Sequence, residues 1–320
     1  MLTRLVELYR RTGADVPFGN PLPSHGTEME GWFWRVSDEA SGRAVVALCS
    51  VNRHREGDWS TAAVAVHPGQ VVRAAALDGA QSRPAPFAVT AGDDTEGFTV
   101  GTDRVRFRLG DLSLDMRISE QLAWPKAFGG GGVFSAIPFL NQYWHPYCLG
   151  GRASGTVEYG GESWTFDGAK LYAERNWGAG FPLRWWWGQA HDFGTDDVCV
   201  AFSGGLLSLG PIARDVNGVV VRVGGTVIRM TPPVPVRSQI GDDQWMIRGR
   251  SPRYEIELTG DGRHIPPHVL PVPLPGERRN IDTDFEHLGG RLRCTVRRSG
   301  RLLFDGTSEL AGLEVGTRPQ

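Results

Sequence analysis

Most of the signals that identify an enzyme from its sequence are missing from this chain. No G-x-G-x-x-G or Walker-type loop follows a strand, there is no G-x-S-x-G elbow, and the glycine-rich runs lack the helix that a phosphate would require. Only four of the 320 residues are cysteine, and Cys49, Cys148, Cys199 and Cys294 never form a C-x-x-C pair. Each lies in an apolar, strand-like run, so reduced core thiols are expected rather than a zinc site or a disulfide frame. Charge of one sign is also lacking. The 34 basic and 36 acidic side chains are interspersed, leaving a formal charge of −2 and no footprint for a nucleic acid. No uncharged apolar stretch approaches the roughly 18 to 20 residues that span a bilayer, which excludes an integral span and leaves a peripheral membrane contact open. The His-x-x-x-His spacing at His264 and His268 is filled by Ile265-Pro266-Pro267 and cannot be helical, so no metal site is expected.

Helical periodicity is scarce as well. Met1–Arg11 reads as a short amphipathic helix, its charges too early and too frequent for a secretory segment, which leads to the expectation of a cytoplasmic protein, membrane-associated at most. After it no stretch sustains a 3.6-residue period. Instead 43 glycines and 21 prolines punctuate segments that alternate apolar and polar with period two, such as Ala44–Cys49, Val105–Leu109, Val198–Phe202 and Leu292–Val296. That is the pattern of an all-β protein. Asn217-Gly218, Asp261-Gly262 and Asp305-Gly306 read as hairpin turns. So many strands do not fit one open twisted sheet, and closure into two packed antiparallel barrels removes the edges. The run Gly129-Gly130-Gly131-Gly132 marks the expected passage between halves, with barrels at 1–140 and 141–320. Pro266–Pro275 is expected to be an extended loop, because prolines cannot donate to a ladder.

What the chain has in excess is tryptophan in one place. Five of its eleven indoles fall within Trp164–Phe193, beside several titratable groups. Each indole buries a large surface and needs a partner for its N–H, so a pocket for a large apolar or cationic species is the expectation. On a strand, Trp185, Trp187, Gln189, His191 and Phe193 share one face, with Trp186 opposite. Lys170, Tyr172, Glu174 and Asn176 share a face, as do Asn141, Tyr143, His145 and Tyr147, with Trp144 and Cys148 on the other side. These runs place Glu174, His145 and His191 beside stacked aromatics. A carboxylic acid whose pKa is raised by burial can donate a proton, and aromatic faces stabilise the resulting cation. The same residues, each taken alone, also fit plain barrel packing. Asp282, Asp284, Glu286 and His287 read as a solvated acidic loop.

At Tyr172–Gly178 with Gly180-Phe181-Pro182, at Trp185-Trp186-Trp187 leading to Gln189, at Gly31–Arg35 and at Leu310–Gly316, the chain resembles the tocopherol cyclase family over roughly residues 20 to 318. Its Glu-x-Asn-Trp-Gly core is also similar to carotenoid 1,2-hydratases and related lipocalin-like proteins. The resemblance implies two lipocalin-like barrels and an enzyme that needs no cofactor. Such an enzyme protonates an isoprenoid double bond of a hydrophobic small-molecule substrate, and a phenol or water captures the cation. It implies Glu174 as acid and Asn176 orienting it; His191, a departure from plant-type members where a smaller polar residue is expected, is added from its place on the aromatic run as a further catalytic candidate. Substrate would be bound by Tyr143, His145, Tyr172, Trp177, Trp185, Trp187 and Gln189. The competing reading is a barrel that carries a lipid or quinone unchanged. The two part over Glu174: an enzyme turns it to the cavity, whereas a carrier ties it to Lys170 or Arg175. Nothing in the sequence sets an oligomeric state.

Overall fold

A computed structural model of the chain describes residues 2–11, 27–84, 86–126 and 128–319. Residues 12–26, within the expected first barrel and partly within the resemblance, lie outside them, as does Met1 of the expected helix. Helix α1 spans Leu2–Arg11. Apart from short 3-10 segments at Gly132–Ala136 and Pro275–Glu277, the regular structure of the other described residues is two antiparallel sheets.

The first sheet holds β1 (Met29–Asp38), β2 (Arg43–Asn52), β3 (Trp59–His67), β4 (Val71–Asp78), β5 (Gln81–Pro84) and β6 (Phe87–Gly92). It continues with β7 (Gly97–Gly101), β8 (Arg104–Leu109), β9 (Leu112–Ser119), β10 (Gln142–Cys148), β11 (Arg152–Tyr159) and β12 (Glu162–Gly178). The second holds β13 (Arg184–Ala190), β14 (Val198–Leu209), β15 (Ile212–Val223), β16 (Thr226–Met230) and β17 (Val236–Ile240). Its remaining strands are β18 (Gln244–Arg250), β19 (Tyr254–Asp261), β20 (His268–Leu274), β21 (Arg279–Arg298) and β22 (Arg301–Thr317). In each sheet the first strand pairs with the last, β1 with β12 and β13 with β22, so each sheet curls around its own core as a lipocalin-like barrel.

The change of sheet falls at residues 179–183, not at the 140/141 boundary that the glycine run suggested. β10, β11 and β12 all belong to the first barrel. The glycine run has another use. A Cβ on Gly129 would lie 2.8 Å from the His145 ring and one on Gly130 2.2 Å from Pro146, so only bare backbone lets this strap lie against β10. Arg229 of β16 donates to the carbonyls of Phe128 and Gly129 and fixes the strap to the second barrel.

Two of the three expected hairpin turns are strand interior: Asn217-Gly218 lies inside β15 and Asp305-Gly306 inside β22, while Asp261-Gly262 begins a longer connection to β20. At Gly218 and Gly306 the missing side chain makes room for Thr231 and for the Phe304 ring. A two-residue turn sits instead at Gly224-Gly225, both with positive φ. The proline-rich segment is also a strand. β20 pairs only with the first half of β21, as an edge strand tolerates proline.

Inside the first barrel Trp32, Trp34, Val64, Phe107, Leu114 and Phe166 form part of one core. Inside the second, Trp186, Phe202, Val219, Trp245 and Leu313 contribute to another, and all four cysteines are buried and free. A third apolar cluster, with Phe33, Tyr172, Trp187, Ala201, Val220 and Leu288, belongs to neither interior. It lies where the outer faces of the two barrels meet. Side chains alternate along β1, β12 and β13, so the residues that face away from each core are the ones that build this seam.

A valine at Gly188 would place its Cβ 2.4 Å from the Phe202 ring and 3.0 Å from Leu313. Overpacking of this kind costs about 1–3 kcal/mol. Gly188→Val should therefore lower the urea midpoint with an unchanged slope; an unchanged midpoint would show that the second core yields freely at this point.

Candidate functional site

At one end of the seam the barrels part around a cavity with about 160 Å³ open to the centres of water molecules. One water needs roughly 10–15 Å³ on that measure, so the space suits an organic molecule rather than an ion. Phe33, Glu174 and Asn176 of the first barrel face Trp185, Trp187 and Glu314 of the second, and the strap contributes Phe134 and Leu140.

Glu174 is the centre of the arrangement. It is 5% exposed. Three donors converge on its Oε2: the indole Nε1 of Trp144 at 2.7 Å, that of Trp187 at 2.8 Å and the hydroxyl of Tyr172. Among the described residues no hydrogen bond is made to Oε1. Burial raises the Glu174 pKa above the ordinary carboxylate value, and the three donors pull it partly back down. The resting group is thus biased to its neutral form, while the anion it would leave is already solvated by oriented N–H and O–H groups.

Neither basic neighbour is paired with it. Arg175 points to the opposite side of β12, bonded to Glu30 and lying over the Trp177 ring. Lys170 donates to the carbonyls of His191 and Thr195 and lies within 4 Å of Glu39, Asp192 and Asp196. The alternation along β12, with Glu174 outward and Arg175 inward, keeps the adjacent charges apart.

The other expected site residues divide. Trp185, Trp187, Tyr143 and Asn176 line the cavity. Tyr143 stacks on Trp177 at 5.3 Å and 6°, and burial pushes its hydroxyl up to about 12, so it stays a neutral phenol. Asn176 makes no hydrogen bond to Glu174; the orienting groups are Trp144, Tyr172 and Trp187. Tyr172 and Trp177 stand behind the lining rather than in it. Gln189 is fully buried, accepting from Arg35 at 3.1 Å and contacting Cys199. His145 accepts the Gly130 N–H and holds the strap. His191 lies beyond the end of β13, bonded to Ser37 and close to Asp192, and burial beside Arg35 and Lys170 drives its pKa far down. His145, Gln189 and His191 are therefore away from the cavity. Residues expected on one strand face need not share one pocket.

Three residues that matter were missed. Trp144 was expected to point away, yet it lines the cavity and bonds Glu174. Asp284 and Glu314 also line it. The stretch read as a solvated loop is the first half of β21, in which Asp282 is exposed as expected but Asp284 is at 6% and Glu286 at 0% exposure. The alternation Asp282, Asp284, Glu286 was the available signal, because period two marks a strand even when the repeating residue is acidic. Asp284 and Glu314 are in hydrogen-bond contact and burial raises both; the charge of Glu314 raises Asp284 further, whereas Glu314, raised also by Glu174 and pulled back by hydrogen bonds from Trp185 and Asp284, reaches about 7. Among the described residues no group of three or more His, Cys, Asp or Glu is placed to hold a metal ion, and no helix is long and apolar enough to cross a membrane.

The family model for Tocopherol cyclase-like proteins matches residues 96–317. Among curated proteins, the chain is 28% identical over 207 residues to a probable chloroplastic tocopherol cyclase of Oryza sativa subsp. japonica, covering 59% of this chain and 42% of that protein. It is 27% identical over 208 residues to the chloroplastic tocopherol cyclase of Zea mays, covering 61% and 43%. The match thus spans less than half the length of these relatives. Among solved structures, CghA with Sch210972 superimposes with a TM-score of 0.61 at 13% identity, over 91% of this chain and 88% of that one. Kievitone hydratase from Nectria haematococca gives 0.53 at 12%, over 90% and 88%. At such identities these two show the shared fold.

Two measurements check the electrostatics. With carboxyl-labelled glutamate, carbon-13 NMR should find Glu174 titrating above the ordinary range, and Trp187→Phe, which removes one donor to the anion, should raise it further. A Glu174 titration at the ordinary value would remove the acid described above. Carboxyls raised in the folded state contribute stability that is complete below their unfolded values and is lost as pH rises through the folded ones. With Glu314 at about 7, the urea midpoint should fall from about pH 5 to about pH 8, and Glu174→Gln or Glu314→Gln should flatten that fall.

Proposed function

The chain belongs to the tocopherol cyclase-like family, and we propose from this that it is a cyclase- or hydratase-type enzyme in which Glu174 protonates an alkene of a prenylated phenol, quinol or related isoprenoid. The proton leaves Oε1 and forms a C–H bond with the alkene π electrons. Positive charge develops on the more substituted carbon. Trp144, Trp185, Trp187 and Phe33 line the space in which that cation would form, and aromatic faces stabilise a desolvated cation by about 2 kcal/mol or more. A phenol oxygen then closes a ring, or water adds. The carboxylate left behind is held through Oε2 by Trp144, Tyr172 and Trp187.

One observation carries this reading: all three donors occupy Oε2, and Oε1 remains for the substrate. An acid that protonates an alkene must be neutral before the step and stabilised after it, and this geometry serves both needs. A carrier would gain from tying Glu174 to a neighbouring cation, but Lys170 and Arg175 are engaged elsewhere. That favours the enzyme.

The test is turnover of an ortho-prenylated hydroquinone by wild type and by Glu174→Gln. General acid catalysis contributes about 10²–10⁴-fold, and kcat should fall by that much in the variant while binding persists. Activity should also decline as pH rises through the raised Glu174 pKa. Recovery of the probe unchanged from a wild-type protein that binds it would establish the carrier instead.

A further inference from the structure

A second pair of carboxyls faces the cavity from the other barrel. Asp284 of β21 and Glu314 of β22 both line it, and Trp185 of β13 donates its indole N–H to Glu314 Oε1. Glu314 is the register partner of Trp187, the residue that reaches across to Glu174. One indole therefore separates the two acidic centres.

The surroundings of this pair differ from those of Glu174. Two carboxyls in contact cannot both ionise readily, so the pair tends to hold one proton and one negative charge between them. The groups that bear on the pair are Glu174 from β12, Glu286 from its own strand and Trp185 from β13. The nearby cation in the seam, Arg35 of β1, donates to Gln189 and to the carbonyls of Leu288 and Leu310. No ion pair to Asp284 or Glu314 occurs among the described residues. Moreover, Asp284 Oδ1 is buried without a hydrogen-bond partner. An acceptor left unsatisfied in this way destabilises the charged form of the pair and favours its taking up a proton.

We propose that the Asp284–Glu314 pair is the proton acceptor for the nucleophile that captures the cation. This rests on alkene protonation by Glu174 and adds the second half of the reaction. The phenol or water oxygen forms its C–O bond to the cationic carbon while its O–H bond breaks, and that proton passes to the pair. Glu174 has meanwhile lost one proton and the pair has gained one, so exchange with solvent through the open cavity restores both. Protonation and capture thereby fall to opposite barrels. With the pair disabled, the cation still forms, but it gives up a carbon-bound proton to the Glu174 carboxylate, the C–H electrons forming the double bond of an isomerised alkene.

The experiment follows an ortho-prenylated hydroquinone in deuterium oxide with wild type, Asp284→Asn, Glu314→Gln and Glu174→Gln. Wild type should yield a ring-closed product carrying deuterium. The two pair variants should still incorporate deuterium, with the ratio of ring-closed to isomerised product at least tenfold lower. Pair variants that cyclise like wild type, or that lose deuterium incorporation along with ring closure, would overturn the division of labour while leaving Glu174 as the acid. A wild type that incorporates no deuterium, or a Glu174→Gln variant that incorporates it fully, would overturn the protonation reading and this one with it. Should the pair variants fail to fold by circular dichroism, the wild type supplies the answer: below about pH 7 the pair is doubly protonated, and the ring-closed fraction should drop while total deuterium persists. A pH-independent ratio would overturn the proposal.

Discussion

Removing carboxyls from water between two barrels is the constraint on which the rest of this structure depends. Glu174, Asp284, Glu286 and Glu314 are all at least nine-tenths buried along the seam, and burial raises every one of them. Ionised carboxylates without compensation are not tolerated in such a place. The protein meets the difficulty in two ways, by leaving groups neutral and by supplying donors that carry no charge. Glu286, whose two oxygens have no hydrogen-bond partner, illustrates the first. Glu174 illustrates both. Its partners are two indoles and a phenol, which stabilise an anion without forcing it to form, as an arginine in the same position would.

The density of tryptophan has its explanation here. Trp144, Trp185 and Trp187 each line the cavity and donate an indole N–H to a carboxyl. A phenylalanine would supply the face without the donor, and a lysine the donor without the face. Trp186, one residue away on the opposite side of the strand, donates to Asn217 and contributes to the second core. Neighbouring indoles on one strand thus serve two different compartments, and the strand period decides which serves which.

The chain path places these compartments. Pairing of first strand with last in each sheet leaves β1 and β12 adjacent in one barrel and β13 and β22 adjacent in the other. Only residues 179–183 separate β12 from β13. The outer faces of these four strands meet as the barrels pack, and the cavity remains where they diverge. The strap at 128–141 closes one side, with Arg229 and His145 as its anchors. The site therefore belongs to neither barrel alone, and its chemistry depends on their apposition.

Much of this was present in the sequence. Alternation with period two, interrupted by glycine and proline, determined an all-β chain, and the count of strands required closure into two units. The same period put Glu174 and Tyr172 on one face, and Trp185 and Trp187 on one face with Trp186 opposite, because a strand's side-chain direction is a local property. Tertiary structure alone decided the rest. Asn217-Gly218 and Asp305-Gly306 have the composition of turns, but the rings and side chains packed against them hold both in strands. Asp284 looked solvated because acidity is the usual mark of a surface, and only the second barrel's position against the first buries it. His145, Gln189 and His191 were expected beside the same aromatics, yet His191 falls past the end of β13 and the cavity lining includes none of the three. Which residues share a face is fixed over a few residues of chain; which face meets a cavity is fixed by a partner strand more than a hundred residues away, as Trp187 is placed opposite Glu314.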